Sequence, residues 1–134
     1  MSIDQPTQKQ TILVVEDTED IRQLLSMWLR TSGYRVLEAA DGGEAVEIAS
    51  RECPDLILMD LSLPTLDGIS ATRLIRQIEQ ICNVPIIACS AHDTREWSDR
   101  ALTAGCVEFI SKPVDFDSLG KVVECHLVKA EHIC

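Results

Sequence analysis

This sequence lacks most of what would send a protein to a membrane, a nucleic acid or an oxidising compartment. No apolar run approaches the roughly 20 residues that a bilayer-spanning helix needs. The first ten residues, MSIDQPTQKQ, are polar and contain no apolar core of a signal peptide. Positive charge is scarce: 12 Lys and Arg stand against 22 Asp and Glu, a formal charge of -10. That balance argues against a nucleic-acid-binding surface, which would need a basic patch. No internal repeat, low-complexity tract or interdomain linker interrupts the chain.

Paired cysteines are missing too. The six are Cys53, Cys82, Cys89, Cys106, Cys125 and Cys134, with no CxxC pair and no His at zinc-ligand spacing from paired cysteines. Cys89 and Cys106 lie in apolar runs and read as small core residues. Reduced thiols in a reducing compartment are expected, hence a cytoplasmic protein. Cys134 is the last residue, whereas a prenylation box places its Cys fourth from the end.

What is present fits one domain. The 134 residues are 46% hydrophobic, enough for a packed core without disulfides or metal. The central stretch is Leu56-Ile57-Leu58-Met59-Asp60, an apolar run that ends in a carboxylate. Periodicity alone fits a short buried helix equally well; brevity and the preceding Pro54 favour a strand buried on both faces. Four similar runs surround it. Residues 11–15 form a β-branched run ending in Glu16-Asp17; residues 34–38 form a second. Residues 84–89 end in Ser90-Ala91, and residues 106–110 run into Ser111-Lys112-Pro113.

Helical patterns separate the runs. Ile21, Leu24, Leu25, Trp28 and Leu29 recur on one apolar face, stopped by Gly33. Ala45, Val46, Ile48 and Ala49 follow the Asp41-Gly42-Gly43 turn, and Asp67-Gly68 opens a helix with Ile69, Leu74, Ile75 and Ile78. A weaker helix is expected over 93–104, closed by Gly105, and a last one carries Leu119, Val122, Val123 and Leu127. Five strand–helix alternations imply parallel strands with right-handed crossovers and helices on both faces. The expected boundaries are a loose tail over 1–10, a domain over 11–129 and a short tail over 130–134.

In such a sheet, ligands bind at the carboxyl ends of the strands. Glu16, Asp17, Asp60, Ser90 and Lys112 would all lie on that edge. Three crowded carboxylates repel one another. A hard divalent cation relieves this, and Mg²⁺ suits the count because it takes few carboxylates and keeps several waters. A hydroxyl, a lysine and a metal around one carboxylate make a site for a phosphoryl group. Each member alone has a bland reading: an Asp at a helix start is usually a cap, and Lys-Pro after a strand is usually a turn. Their joint placement carries the weight.

With these residues in view, the sequence resembles the receiver domain of bacterial two-component response regulators, of the stand-alone chemotaxis-regulator kind. The resemblance covers about residues 11–129 and rests on Val14-Val15-Glu16-Asp17, Asp55 to Asp60, Leu63-Pro64, Asp67-Gly68, Ser90-Ala91, Phe109 and Lys112-Pro113. It implies a flavodoxin-like doubly wound sheet of five parallel strands, order 2-1-3-4-5, with five helices. It implies that Asp60 accepts a phosphoryl group from a histidine kinase or a histidine phosphotransfer protein. Glu16, Asp17, Asp60 and the backbone carbonyl of Ser62 would hold Mg²⁺. Lys112 and Ser90 would bind phosphoryl oxygens, and Phe109 would follow Ser90 in switching. Ser62 and His92 would tune the lifetime of the phosphoryl group. With no effector domain and no linker-like stretch after the last helix, a stand-alone regulator acting on a downstream protein target, unnamed by the sequence, is expected.

Two other readings are weaker. A phosphohydrolase with an aspartyl-phosphate intermediate would need a second acid two residues beyond Asp60, where Ser62 stands. A receiver-like adaptor that is never phosphorylated would not need the complete set of Glu16, Asp17, Asp60, Ser90 and Lys112. His92, His126 and His132 read as ordinary surface histidines, since phosphodonor histidines sit on helical bundles.

Overall fold

The computed structural model describes residues 9–92 and 94–132. Five strands alternate with five helices. The strands are β1 (Thr11–Val15), β2 (Arg35–Ala39), β3 (Leu56–Asp60), β4 (Ile86–Ser90) and β5 (Glu108–Ser111). The helices are α1 (Glu19–Thr31), α2 (Gly42–Glu52), α3 (Gly68–Arg76), α4 (Arg95–Ala104) and α5 (Phe116–His132). All strand pairs are parallel, in the order β2-β1-β3-β4-β5. This is the doubly wound, flavodoxin-like arrangement expected from the alternation.

The period-2 geometry of a strand sends alternate side chains to opposite layers. Leu13, Val15, Ile57, Met59, Ile86 and Ala88 face one side, packing against Ala45 and Ala49 of α2, Ile69 and Ile75 of α3, and Ala101 and Ala104 of α4. Ile12, Val14, Leu56, Leu58 and Ile87 face the other, against Leu25 and Leu29 of α1 and Leu119, Val123 and Leu127 of α5. β1, β3 and β4 are buried throughout, which explains their near-continuous apolar sequences.

Helix starts follow local chemistry. Asp41 accepts from Glu44 N at 2.8 Å, Asp67 accepts from Ser70 N at 2.9 Å, and Thr94 accepts from Trp97 N at 3.4 Å. α1 begins at Thr18 without a side-chain cap but with Glu19 and Asp20 in its first turn. Gly33, at φ +100, lets the chain leave α1.

The structure corrects several element bounds. β2 begins at Arg35, one residue later than the expected 34–38, and β5 begins at Glu108 rather than 106. β4 is Ile86–Ser90 rather than 84–89. Pro85 stays outside because it has no N–H to donate, although its carbonyl accepts from Ile57 N at 2.9 Å. α4 starts at Arg95; residue 93, the expected start, lies outside the described residues. α3 stops at Arg76, so Ile78 falls in the following turn and Leu74 is exposed. α5 runs to His132, past the domain boundary expected at 129. The tails expected over 1–10 and 130–134 fall mostly or partly on residues 1–8, 133 and 134, outside the described residues.

Candidate functional site

The carboxyl ends of β1, β3 and β5 bring four of the expected groups together. Glu16 follows β1 and Asp60 ends β3; both are almost fully buried, at 2% and 4% exposure. Lys112 follows β5 and reaches across the edge. Its Nζ lies 2.8 Å from Glu16 Oε1 and 3.2 Å from Asp60 Oδ2. Asp17, exposed, completes an acidic trio: Glu16, Asp17 and Asp60 each offer a carboxylate oxygen within 4.8 Å of the others. Three carboxylates against one ammonium leave excess negative charge. That donor set, all oxygen and closely spaced, fits a hard divalent cation.

Backbone groups fix the two buried acids. Ser62 N donates to Asp60 Oδ1 at 3.0 Å, and Thr18 N donates to Glu16 Oε2 at 3.2 Å. Leu61 N donates to Cys89 O at 3.0 Å and Lys112 N to Ser90 O at 2.8 Å, so the strand ends are tied side by side. Gly68 is required where it stands. A Cβ there would collide with the backbone carbonyl oxygen of Asp60 and come 2.8 Å from Leu61 Cα, so α3 starts directly against the backbone of Asp60. The sequence marked Gly68 as a helix opener and missed this close approach.

The electrostatics follow from burial. Burial pushes the Asp60 carboxyl up to about 6; Glu16 adds to the rise, while the Ser62 hydrogen bond and Lys112 oppose it. Burial alone would lower Lys112, but its bonds to Glu16 and Asp60 outweigh that and hold it above the ordinary lysine range. At neutral pH Asp60 is therefore a carboxylate beside an ammonium.

The other expected residues sit around this centre with different partners. Ser90 is fully buried, and its Oγ accepts from His92 N at 2.9 Å rather than bonding a carboxylate. The His92 ring stacks on Trp97 of α4, with centroids 5.2 Å apart and planes 16° apart, and Arg100 lies 4.7 Å from the centroid of the same indole. Phe109 pairs with Ala88 of β4, two residues before Ser90, so Phe109 and Ser90 share one face of the sheet. Phe109 is half-buried against the α4 side of the core. Ser62 is exposed at the mouth of the site. The Lys112-Pro113 peptide is cis.

A cavity of about 470 Å³ reaches this centre from one side. Glu16, Asp60 and Lys112 lie at its polar end, and Ile21, Leu24, Val114 and Phe116 form an apolar wall. Ala91 lines it, whereas His92 is not among its lining residues. This corrects the expected apolar face of α1. Leu25 and Leu29 enter the core, but Ile21 and Leu24 are 39% and 54% exposed on the cavity rim. Period alone cannot tell a core stripe from a groove wall.

The described residues include no helix long and apolar enough to cross a membrane. The thiols of Cys53, Cys82, Cys89, Cys106 and Cys125 are free. Burial pushes Cys89 up to about 12, which keeps it an inert thiol beside the site.

Comparison with known proteins agrees with this geometry. Residues 12–124 match the family model for the response regulator receiver domain. The polar-differentiation response regulator DivK of Brucella ovis is 31% identical over 117 residues, covering 87% of this chain and 95% of that relative. The receiver domain of sensor histidine kinase PA1611 from Pseudomonas aeruginosa PAO1, solved with a magnesium ion coordinated in its active site cleft, is 40% identical. It superposes with a TM-score of 0.84 over 90% of this chain and 98% of its own. The chemotaxis protein CheY4 of Vibrio cholerae is 28% identical, with a TM-score of 0.83 over 87% of this chain and 98% of its own. A family model spanning most of the chain, on a fold whose strand ends gather these acids and this lysine, makes the chain a member of the response regulator receiver domain family, a component of two-component signalling.

Proposed function

We propose that the chain is a phosphorylation-activated switch in which Asp60 receives a phosphoryl group from the phosphohistidine of a histidine kinase or histidine phosphotransfer protein. The observation that supports this most is the Lys112 ammonium set between Glu16 and Asp60 at 2.8 and 3.2 Å. It leaves Asp60 ionised, nearly desolvated and next to a cation that can follow the incoming charge. An Asp60 carboxylate oxygen attacks phosphorus, the phosphorus–nitrogen bond of the donor breaks, and its electron pair returns to the imidazole. The product carries roughly -1.5 to -2 charge and strong acceptor oxygens. Lys112 Nζ answers one of them. The Ser90 hydroxyl answers another once it leaves His92 N.

Glu16, Asp17, Asp60 and the Ser62 carbonyl would hold Mg²⁺, as magnesium sits in the cleft of the PA1611 receiver. When bound, the ion neutralises the acids and draws charge from the phosphoryl oxygens. The apolar wall of Ile21, Leu24, Val114 and Phe116 suits the side of a helix on the donor protein, since it leads directly to Asp60. Output passes to a downstream protein through the face of α4, β5 and α5. Ser90 lies in β4 beside β5, and Phe109 packs toward α4, so movement of either disturbs that face. Ser62 and His92 flank the path of the water that ends the signal. Work in the cytoplasm suits the free thiols and the phosphohistidine donor.

Acetyl phosphate with Mg²⁺ tests this directly. Intact mass should rise by one phosphoryl group, and Asp60→Asn should abolish the rise while the protein stays folded. No mass change in the parent protein would favour the unphosphorylated adaptor, and normal labelling of Asp60→Asn would remove Asp60 as acceptor.

A further inference from the structure

Asp17 differs from its two acidic neighbours in how it is held. Glu16 is fixed by Lys112 Nζ and Thr18 N, and Asp60 by Lys112 Nζ and Ser62 N. Among the described residues the Asp17 side chain makes no hydrogen bond, and it is exposed. Its direction is therefore set by the backbone that carries it.

That backbone is gripped from two sides. Glu16 N donates to Ala39 O of β2 at 3.1 Å. The Glu16 carbonyl oxygen, part of the peptide joining Glu16 to Asp17, accepts from Arg22 Nη1 at 2.8 Å. Arg22 is 17% exposed, and its Nε donates to Glu38 Oε1 of β2 at 3.1 Å. The other Glu38 oxygen lies 3.4 Å from Arg30 Nη2. One planar guanidinium thus spans α1, the Glu16–Asp17 peptide and β2, a geometry the flexible, single-centred lysine ammonium cannot reproduce.

We propose that Arg22, anchored by Glu38, is a positioning residue for divalent-cation binding: it fixes the plane of the Glu16–Asp17 peptide and so aims the Asp17 carboxylate into the acidic trio. The proposal rests on the reading of Glu16, Asp17 and Asp60 as a cation site. It has a rival with the opposite sign. A guanidinium beside an acidic trio repels a cation, so electrostatics alone makes Arg22 an antagonist of binding. Positioning makes it a helper, in the way that groups behind metal ligands commonly govern affinity.

Calorimetric titration with Mg²⁺, without any phosphoryl donor, separates the two. Arg22→Gln should weaken Mg²⁺ by about tenfold. Arg22→Lys keeps the charge, loses the fork and should weaken it comparably; Glu38→Gln should weaken it less. Tighter or unchanged binding in Arg22→Gln, or unchanged binding in Arg22→Lys, overturns the proposal, and unchanged binding in Glu38→Gln overturns its anchoring half. Circular dichroism confirms folding; should Arg22→Gln not fold, the Lys variant decides. In an Asp17→Ala background, Arg22→Lys should cost nothing further, whereas an additive loss would show a general structural effect and refute the role assigned here. If Asp17→Ala itself leaves Mg²⁺ affinity intact, the cation-site reading fails. If it weakens affinity and Arg22→Lys does not, only the positioning role fails.

Discussion

Asp60→Asn in metal-free buffer is the sharpest test of how the site stores charge. The folded state keeps the Asp60 proton up to about pH 6, because burial and Glu16 oppose ionisation, whereas an unfolded aspartate releases it near 3.8. Between those values the folded state binds more protons than the unfolded one, so stability falls as pH rises through the window. Below pH 3.8 the cost is absent, and above about 6 it is complete. The gap corresponds to roughly 3 kcal/mol. The substituted amide keeps an oxygen to accept from Ser62 N, and Lys112 keeps Glu16 at 2.8 Å. With EDTA at pH 7.5, Asp60→Asn should therefore be more stable than the parent by about 3 kcal/mol, on the order of 10 °C in Tm for a domain of this size. The advantage should shrink steadily toward pH 4. Saturating Mg²⁺ should recover most of it for the parent, because binding only the folded state stabilises it. Urea melts at pH 4, 5, 6 and 7.5, with and without Mg²⁺, provide the measurement. A stability difference that does not change with pH, or a destabilised Asp60→Asn at pH 7.5 without metal, would refute the reasoning.

Three further outcomes follow from the same geometry. Asp17→Ala should remove the Mg²⁺-dependent rise in melting temperature, and an unchanged rise counts against the acidic trio as the site. Exchanging Ser62 or His92 should change the half-life of the phosphoryl group without altering the circular dichroism spectrum; equal half-lives at both positions would exclude them from the path of water. Trp97 fluorescence should change on adding beryllium fluoride, because Ser90 leaving His92 N disturbs the ring stacked on Trp97. Ser90→Ala should weaken that change, Trp97→Phe should abolish it, and a signal surviving Trp97→Phe would assign it to Trp28 instead.

The fold was legible because each of β1, β3 and β4 is buried on both faces, and a strand in that position has to be apolar throughout. The polar residues that end those runs then had to lie on one sheet edge. Asp60 and Glu16 stand out in this way; Lys112 stands out by the same position after β5, although that strand is only half-buried. Boundaries were less legible, since Ser90 pairs within β4 although it is polar, and Ile78 is apolar although α3 has already ended. Arg22 gave no signal: an arginine on the fourth position of an amphipathic helix looks like any solvated residue. Its role depends on β2 returning beside β1, which places Glu38 within reach, and that is a fact of topology, not of local pattern. The His92–Trp97 stack was invisible for the same reason. The resemblance to receiver domains points to His92 by its position two residues beyond Ser90, while its ring direction is decided by α4.

The site therefore combines two kinds of residue with different visibility and different work. Asp60, Glu16, Asp17 and Lys112 bring charges together at a cost that the folded core sustains, and the chemistry needs those residue types themselves. Gly68, Arg22 and Ser62 N supply shape: the first by having no Cβ where α3 meets Asp60, the second by gripping the peptide before Asp17, the third by holding one Asp60 oxygen. The resting arrangement is self-consistent yet imperfectly neutralised, with one ammonium shared by two buried carboxylates. A cation or a phosphoryl group at Asp60 would change the charge that this ammonium balances. The backbone of the same residue joins β5 to β4, since Lys112 N donates to Ser90 O at 2.8 Å. On the proposed reading, a charge event at Asp60 would reach the strands that carry Ser90 and Phe109 through Lys112, whose side chain touches Asp60 and whose backbone is tied to β4.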